Sequence, residues 1–490
     1  MNIRKYCFFM LIILSSCTSW LDVTPKDMIV EDELFDRYLG YRNSLNGIYE
    51  RMAGESLYGK ETSWGFLDVV SNIYHDGTGF IGRDNPYYKA MNYNYEATEI
   101  RPVIDKIWAE SYNIIANSNN LIKQLEKADS SMFPLGNREK ELILGEALGI
   151  RAFLHFDMLR LYAPAPIVDD GEAYLPYYEE FPSYGEKKYT VREVLDKVIR
   201  DLERARVLVA AFDTLTPNHL NRLSGSNLNA RFTISTYDDH EDIFYAYRGY
   251  RMNYPAIVSI LARVYNYAGM HDEAFKCTQE VVKLVAPSTN DLVFYFTLAS
   301  DVVSDKKMMK DLIFALSSPN LYTNYEPYSK QSQSSGDACF LLKEFDNMFD
   351  DVSDYRKKYL MTPVKTYNMP NRNIAISGDE EGITSDMLPV IRLSELYYIQ
   401  AEYYASKSDW GGAVSVMDEV RKGRGCTGGM ITSKITDFES FKIELLKEVK
   451  REFITEGQIF FYYKKFNQKF TSTMSQQNFV LPQPDAETIN

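Results

Sequence analysis

Among the residues that could do chemistry, Cys17 is the one whose neighbours in the sequence best indicate its role. It follows two basic residues near the start, an apolar run over residues 7–14 and the small pair Ser15 and Ser16. A run of eight apolar residues is too short to cross a bilayer as a helix, and small residues before a cysteine leave room for a peptidase. The pattern predicts that residues 1–16 are a lipoprotein signal peptide and that the thiol of Cys17 becomes acylated.

An acylated first residue would fix where the mature chain resides. Two or more acyl chains on one residue hold a protein at a membrane durably, whereas a single chain does not. We therefore expect residues 17–30 to be a lipidated tether and residues 31–490 to be the folded part. An ordinary secretory signal with an incidental cysteine is the alternative interpretation.

The chain is acidic and rich in aromatic residues. Its formal net charge is −14, and removal of Arg4 and Lys5 with the signal peptide would make it more negative. An acidic surface repels nucleic acid and anionic lipid, so both are disfavoured as partners. The 37 tyrosines and 27 phenylalanines suit core packing, and tyrosine in polar loops also suits stacking against sugar rings.

Spacings typical of metal sites and of nucleophilic catalysis are missing from the sequence. No histidine pair occurs at i, i+4, no Cys-x2-Cys occurs, and there is no Gly-x-Ser-x-Gly elbow. The cysteines beyond Cys17 are odd in number and far apart, which predicts buried free thiols at Cys277, Cys339 and Cys426. His155 lies in an apolar stretch and is expected to be a hydrogen-bonded core residue. No cofactor is expected.

Two acidic clusters offer carboxylates that calcium could bind. They are Asp350, Asp351 and Asp354, and Asp379, Glu380 and Glu381. Solvated surface charge is the simpler interpretation of both clusters. A pair of carboxylates for glycoside hydrolysis is left open, because their separation is a three-dimensional quantity.

Two glycine-rich segments match nucleotide-binding motifs in their letters alone. Residues 77–82 read GTGFIG, but a dinucleotide site needs a strand before this motif and a helix opening at its end. Residues 83–86 (RDNP) cannot continue as a helix in that register. Residues 54–60 approach a phosphate loop, but Glu61 stands where a hydroxyl must hold magnesium. We interpret neither segment as a nucleotide site.

Most of the chain shows the apolar spacing of α-helices. These helices must position any functional site. The spacing predicts helices over residues 41–53, 104–125, 137–162, 191–209, 253–269, 271–285, 391–406, 409–423 and 438–466. Thr190 is a good N-cap for the fourth of these, and Pro164 and Pro166 end the third.

Two helix pairs repeat one another, which indicates how the helices stack. The matching positions are Ala262, Tyr265, Gly269 and Ala274 in the first pair and Ala401, Tyr404, Ser408 and Ala413 in the second. Small residues at these places let antiparallel helices approach closely, as in tetratricopeptide repeats. Long segments rich in Asn, Ser, Gly and Tyr lie between the helices, and loops this long are usually functional. The sequence predicts a mainly α fold with tetratricopeptide-like pairs, long loops and a few short strands.

Eight short stretches follow one another in a characteristic order. They are Cys17-x3-Leu21-Asp22-x2-Pro25; Trp108-x2-Ser111-Tyr112-x2-Ile115-x-Asn117-x-Asn119; Gly145-Glu146-Ala147-x3-Arg151-Ala152-x2-His155-Phe156; Asp354-x-Arg356; Ile391-Arg392-Leu393-Ser394-Glu395 with Ala401-Glu402; Asp418-x2-Arg421-x2-Arg424-Gly425; Arg451-Glu452-Phe453-x2-Glu456-Gly457; and Leu481-Pro482-x-Pro484. In these stretches the chain resembles the SusD/RagB family of outer-membrane lipoproteins. Gln458 departs from the family pattern, which usually has Arg or His there.

The resemblance implies a fold and a role. It implies a SusD-like domain with an N-terminal part over about 31–213 and a C-terminal RagB/SusD part over about 245–490. It also implies a lipid-anchored, surface-exposed protein of the cell outer membrane. Such proteins bind oligosaccharides, other glycans or, in some members, peptides, and pass them to a SusC-like TonB-dependent transporter without covalent chemistry. The family's ligand residues lie in variable loops, so no motif assigns them.

Physical chemistry therefore selects the candidate ligand residues. A sugar site presents aromatic faces beside amide and carboxylate groups, and the Tyr-rich segments 64–93 and 320–333 supply both. The residues expected to line a ligand surface are Trp64, Tyr74, Asp76, Tyr322 and Asn324. Packing inside a loop core is the alternative for each of them.

Two further functions fit the same residues. A surface glycosidase or peptidase would turn over candidate substrates. A helical-repeat lipoprotein acting only as an assembly scaffold would bind a periplasmic complex and no transporter. We favour nutrient binding, because the eight stretches span nearly the whole mature chain.

Overall fold

The computed structural model describes residues 31–185, 187–223, 230–233, 242–330, 336–375, 384–429 and 434–485. The predicted signal peptide, Cys17 and the acidic residues at 379–381 lie outside these ranges. Among the described helices, none is both long enough and apolar enough to cross a membrane.

Helices make up most of the described chain. They are α1 (Glu31–Leu34), α2 (Tyr38–Met52), α3 (Phe66–Val70), α4 (Pro86–Met91), α5 (Arg101–Lys127), α6 (Asn137–Tyr162), α7 (Val191–Asp213), α8 (Pro217–Arg222), α9 (Tyr254–Tyr267), α10 (His271–Val282), α11 (Leu321–Tyr325), α12 (Phe345–Met348), α13 (Tyr355–Tyr359), α14 (Leu393–Ser406), α15 (Trp410–Gly423), α16 (Phe438–Glu452) and α17 (Gln458–Lys465). The prediction of a mainly α fold is confirmed.

Short antiparallel pairs of strands complete the described structure. They are β1 (Ala173–Pro176) with β2 (Lys188–Thr190), β3 (Leu312–Ser317) with β6 (Met387–Arg392), and β4 (Met361–Val364) with β5 (Tyr367–Pro370). Residues 391 and 392, which the sequence places in a helix, belong to β6 instead, because they pair with β3.

The long helices form a stack in which each packs against the next. The order is α2, α5, α6, α7, α9, α10, α14 and α15. Helix α6 is buried on nearly all sides, as its apolar sequence predicts. Thr190 caps α7 in a capping box, since its side chain accepts from the Glu193 N–H while the Glu193 carboxylate accepts from the Thr190 N–H.

The repeated helix pairs share the same turn. The Tyr265 carbonyl accepts from the Met270 N–H at 2.8 Å, and the Tyr404 carbonyl accepts from the Asp409 N–H at 2.9 Å. Gly269 and Ser408 occupy the same left-handed position, with φ of 75° and 57°. The alanines that the repeat predicts at the helix contacts (Ala262, Ala274, Ala401 and Ala413) are all fully buried. The predicted repeat is confirmed.

The helix predicted over 438–466 is wrong as one element. It divides into α16 and α17, because Thr455 and Gly457 adopt left-handed φ of 70° and 69°. A left-handed residue cannot continue a right-handed helix. The backbone N–H groups of Thr455 and Gly457 point instead at the buried carboxylate of Asp68 in α3.

A buried ionic cluster lies between α13, α15 and α16. Arg356 donates to Asp354 at 2.7 Å, to Glu448 at 3.1 Å and to Glu452 at 2.9 Å, and Arg424 also donates to Glu452. Burial alone would raise the pKa of Glu452, but the Arg424 and Arg356 guanidiniums hold it well below its usual range. Each buried charge therefore has a partner, which such burial requires.

The same cluster extends to the β3–β6 sheet. Arg392 forms an ion pair of 2.6 Å with Glu456, and Arg372 pairs with Glu456 as well. Asp311 accepts from Arg424, and Ser394 donates to Glu452 at 2.8 Å. Charged and polar residues from four of the five C-terminal stretches that carry the family resemblance thus meet in one structural cluster.

Residues beyond α17 return to the N-terminal half. The Leu481 N–H donates to the Leu161 carbonyl near the end of α6 at 2.9 Å. Arg101, at the start of α5, donates to the Gln483 carbonyl at 2.7 Å. The end of α6 is therefore covered by residues more than three hundred positions later.

Candidate functional site

The predicted ligand residues Trp64 and Tyr74 lie in the core. Both side chains are fully buried. The Trp64 ring packs edge-on against Tyr325 with centroids 5.0 Å apart, and Tyr74 stacks on Phe340 at 4.5 Å. The prediction that these two rings face a ligand is wrong, because protein side chains cover them.

The remaining predicted residues are accessible to different degrees. Tyr322 and Asn324 are half-buried on α11, where the Tyr322 hydroxyl donates to the Thr384 carbonyl at 3.4 Å. Asp76 lies at the surface, with 49% of its side chain exposed. The five residues therefore do not form one shared surface, and Asp76 is the one that adjoins a group of accessible rings.

Those rings are His75, Phe80 and Tyr367, which we call the aromatic triad. Their centroids are 5.1 Å apart for His75 and Phe80, 5.0 Å for His75 and Tyr367, and 5.0 Å for Phe80 and Tyr367. All three side chains are partly exposed. Three mutually contacting rings in loops form an amphipathic platform on which a flat apolar ligand surface can stack.

A tight glycine turn brings Phe80 back over His75. Gly77 and Gly79 have φ of 102° and 86°, a region that glycine enters without steric cost. The Phe80 N–H donates to the Gly77 carbonyl at 3.0 Å, and the Gly77 N–H donates to the Ile81 carbonyl at 2.8 Å. The GTGFIG segment thus makes a turn, and the next helix begins only at Pro86, which agrees with its rejection as a nucleotide motif.

Residues 337–343 hold the triad together from both sides. The His75 N–H donates to the Leu341 carbonyl at 2.9 Å, and the Cys339 N–H donates to the Phe80 carbonyl at 3.0 Å. On the other side, the Leu342 N–H donates to the Asn368 carbonyl, next to Tyr367, at 2.8 Å. Phe80 and Tyr367 also pack on a small core of Cys339, Leu341 and Met369. Hydrogen bonds and packing therefore fix the platform before a ligand arrives.

Charged and polar groups border the aromatic triad. The Lys343 ammonium lies 3.8 Å from the Asp76 carboxylate and donates to the Asn72 side chain at 2.7 Å. Burial, together with the nearby Lys343, lowers the pKa of His75, so its ring is neutral at pH 7. The site can accept hydroxyl hydrogen bonds at Asp76 while an apolar face stacks on the rings.

The described surface also carries several grooves, two of which we name the lysine groove and the α2 groove. The lysine groove, of about 630 Å³, is lined by α16, by Lys343 and by residues 468–471. The α2 groove, of about 680 Å³, is lined by α2 and by residues 242–251. The arginines of the α2 groove are paired within the protein, since Arg42 binds Glu139 at 2.5 Å and Arg251 donates to Asn46 at 2.6 Å.

The described acidic cluster is occupied by protein contacts. Asp350 pairs with Arg421 and Arg451 at 3.1 Å, and Asp354 pairs with Arg356. Asp351 accepts from the Gly428 N–H at 2.8 Å. Within the described ranges, no group of three or more His, Cys, Asp or Glu side chains is placed to hold a metal ion.

The predictions for the three downstream cysteines and for His155 are confirmed. Cys277, Cys339 and Cys426 are buried free thiols, and burial raises their pKa values to about 12, 11 and 12. His155 lies in the core, where its Nδ1 contacts the Arg151 carbonyl at 2.9 Å and its Nε2 accepts from the Tyr178 N–H at 3.1 Å.

Sequence reasoning missed Phe80 and Tyr367. The turn at Gly77 and Gly79 was a usable signal for Phe80, because a reversal brings the residues on its two sides together. Tyr367 reaches His75 from nearly three hundred positions away, and no local pattern in the sequence indicates that contact.

Two family models match the chain. Residues 19–233 match a SusD-like model described as starch-binding and associating with the outer membrane, and residues 343–481 match the SusD family model. Among curated proteins, the SusD-like protein P2 of Formosa agariphila is 22% identical over 204 residues, which are 41% of this chain and 37% of that protein. The match thus spans less than two fifths of this relative's length.

Solved structures share the fold across most of the chain. A SusD superfamily protein from Bacteroides thetaiotaomicron superimposes with a TM-score of 0.67 at 20% identity, covering 91% of this chain and 96% of its own. A SusD-like carbohydrate-binding protein from Bacteroides vulgatus gives 0.62 at 16% identity, covering 88% and 84%. Since the two family matches together cover well over half of the chain and these structures share its fold, the protein belongs to the SusD family.

Proposed function

We propose that the protein binds a glycan at the outer-membrane surface and passes it to a SusC-like TonB-dependent transporter, without catalysing a reaction. The observation that carries this proposal is the aromatic triad beside Asp76. Sugars offer a flat C–H face for stacking and hydroxyls for hydrogen bonding, and the triad with its carboxylate matches both.

The family relationships support the same class of ligand. One family model carries a starch-binding description, and the B. vulgatus structure is described as carbohydrate binding. The predicted acylation of Cys17 supplies the membrane attachment that the family description mentions. A tether of residues 17–30 would keep the bound glycan at high effective concentration near the transporter.

Glycan binding by two matched variants tests the site. In Phe80→Ala/Tyr367→Ala the platform is removed, whereas Phe275→Ala/Tyr403→Ala removes a stacked, partly exposed pair with centroids 4.1 Å apart on the scaffold helices α10 and α14. Stacking contributes roughly 0.5–1.5 kcal/mol for each ring, so the triad variant should bind neutral glycans about tenfold more weakly. The scaffold variant should bind as the unmodified protein does.

Calorimetric titration with a panel of neutral oligosaccharides provides the measurement, and circular dichroism establishes that both variants are folded. A folded triad variant with unchanged affinity would place the ligand elsewhere. Turnover of any oligosaccharide would favour a surface enzyme. Co-purification from outer membranes tests the transporter, and capture of a periplasmic complex without a transporter would favour the scaffold function.

A further inference from the structure

The lysine groove is positively charged in a strongly acidic protein. Four lysines and two glutamates line it, namely Lys343, Lys447, Lys450, Lys469, Glu344 and Glu439. The whole chain carries a formal charge of −14, so this lining reverses the overall sign locally. Its volume of about 630 Å³ lies within the roughly 300–1,000 Å³ of small-ligand sites.

Two of these lysines have no ion-pair partner among the described residues. Along α16, Lys447 pairs with Glu444 at 2.7 Å, and Glu439 pairs with Lys442 at 2.5 Å. In the part of the chain that the structure describes, Lys450 and Lys469 form no ion pair. Burial lowers the pKa of Lys450, and the charge of Glu344 opposes that shift. The groove therefore presents two lysine side chains that form no salt bridge within the described ranges.

Aromatic and amide groups accompany these lysines. Tyr463 and Phe470 stack with centroids 4.3 Å apart, and the Lys450 ammonium lies 5.4 Å from the Tyr463 ring centroid. Asn347, Gln468 and Thr471 also line the groove. Ring faces beside hydrogen-bonding side chains suit a sugar as well as an anion.

Lys343 joins the lysine groove to the aromatic triad. It lines the groove, and its ammonium lies 3.8 Å from the Asp76 carboxylate, which borders the triad. Asn72, which accepts from Lys343 at 2.7 Å, lines the groove as well. The lysine groove and the aromatic triad are therefore neighbours that meet at Lys343 and Asp76, which is the spacing an extended chain of sugar units needs to contact both.

We infer that the lysine groove binds an anionic sugar unit, carrying a carboxylate or a sulfate ester, of the same glycan whose neutral units stack on the aromatic triad. This inference rests on the proposed glycan-binding function and specifies its substrate class. Lys450 and Lys469 supply charge-assisted hydrogen bonds to the anionic group. The glycan is therefore an acidic polysaccharide fragment.

Matched pairs of probes distinguish the contribution of the anionic group to affinity from that of the rest of the sugar. The probes are oligogalacturonates with their carboxyl-reduced derivatives, and sulfated galactan oligosaccharides with their desulfated derivatives. The full mature chain should bind at least one anionic probe about tenfold or more tightly than its neutral derivative, because hydrogen bonds to a charged group are stronger than those to a neutral one. Whichever pair shows the preference identifies carboxylate or sulfate.

Two double variants test which lysines cause the tighter binding of the anionic probe. Lys450→Gln/Lys469→Gln should lose the roughly tenfold advantage and leave binding of the neutral derivatives unchanged. Lys407→Gln/Lys422→Gln removes two exposed lysines that are paired with Asp272 and Glu419 and lie outside the groove, and it should retain the advantage. Raising the salt concentration should weaken the anionic probes alone.

Other outcomes would overturn the inference. Equal affinity for the anionic and neutral members of both pairs would contradict the inference. It would leave the triad proposal intact, because the loss of neutral binding in Phe80→Ala/Tyr367→Ala reports on the triad separately. Binding of vesicles containing phosphatidylglycerol that depends on Lys450 and Lys469 would make the groove a lipid site instead. Failure of every oligosaccharide to bind would contradict both proposals.

Discussion

The carboxylate of Asp68 accepts a hydrogen bond of 3.1 Å from the backbone N–H of Gly457, 389 positions later in the chain. The same carboxylate accepts from the Thr455 N–H at 2.6 Å. This contact fixes the turn between α16 and α17 against α3, and the left-handed conformation of the turn makes it possible.

The substitution Gly457→Ala should destabilise the protein by about 3 kcal/mol. A Cβ at this position would lie 2.4 Å from the Thr62 carbonyl oxygen, in addition to the strain of φ 69°. Gly269→Ala is the control, since Gly269 has φ 75° but no atom within 4 Å of the added Cβ, and it should cost about 1 kcal/mol. Urea unfolding measures both losses, and equal losses would show that the approach to Thr62 has no energetic cost.

Glu452→Gln should be among the most damaging single substitutions. The amide would remove the negative charge shared by Arg356 and Arg424, and breaking a buried ionic group by removing one partner costs about 3–5 kcal/mol. Glu419→Gln removes one end of an exposed pair with Lys422 and should change stability by less than about 1 kcal/mol. Thermal unfolding of both variants compares them, and similar melting temperatures would contradict the role of the buried cluster.

His155 should make the protein less stable as the pH falls below about 6.5. Burial lowers its pKa to about 3, and Nε2 must remain unprotonated to accept from the Tyr178 N–H. The folded state therefore excludes a proton that the unfolded chain binds, so stability is full above about pH 6.5 and declines toward pH 3 by up to about 1.4 kcal/mol per pH unit.

His155→Gln keeps a donor and an acceptor but does not titrate. Its free energy of unfolding, measured from pH 7 to pH 4, should fall less steeply than that of the unmodified protein. Identical slopes would assign the acid sensitivity to other groups.

The substitution Cys17→Ala should abolish glycan capture at the cell surface without changing the affinity of the purified protein for glycan. The purified variant should bind glycan as before, because the site lies far along the chain from residue 17. Cells carrying the variant should release the protein and lose glycan capture at their surface. Fractionation of membranes and medium measures the release, and retention in the outer membrane would contradict the acylation of Cys17.

Local patterns predicted the scaffold accurately. Helix α6 has the predicted bounds, Thr190 caps α7, and Gly269 and Ser408 make the same turn. Each of these features depends on residues within a few turns of one another. The break within the helix predicted over 438–466 depends on Asp68, which no local pattern connects to it.

The candidate site depended on long-range contacts and was predicted only in part. The sequence pointed to the loop that holds the aromatic triad and to Asp76 within it, but it could not tell which neighbouring ring faces outward. Tyr74 turns inward to stack on Phe340, while His75 turns toward Tyr367. Pairing with residues 337–343 decides that orientation, and this pairing joins segments more than two hundred and fifty positions apart.

The return of residues 481–483 to α5 and α6 affects when folding can finish. The N-terminal helices lack their final cover until these residues leave the ribosome, so the native core cannot close during synthesis of the first half. A chain exported through a narrow translocation channel must stay unfolded until it has crossed. In the exported protein that we propose, the contact between Leu481 and Leu161 would delay completion of the fold until nearly the whole chain has crossed the membrane.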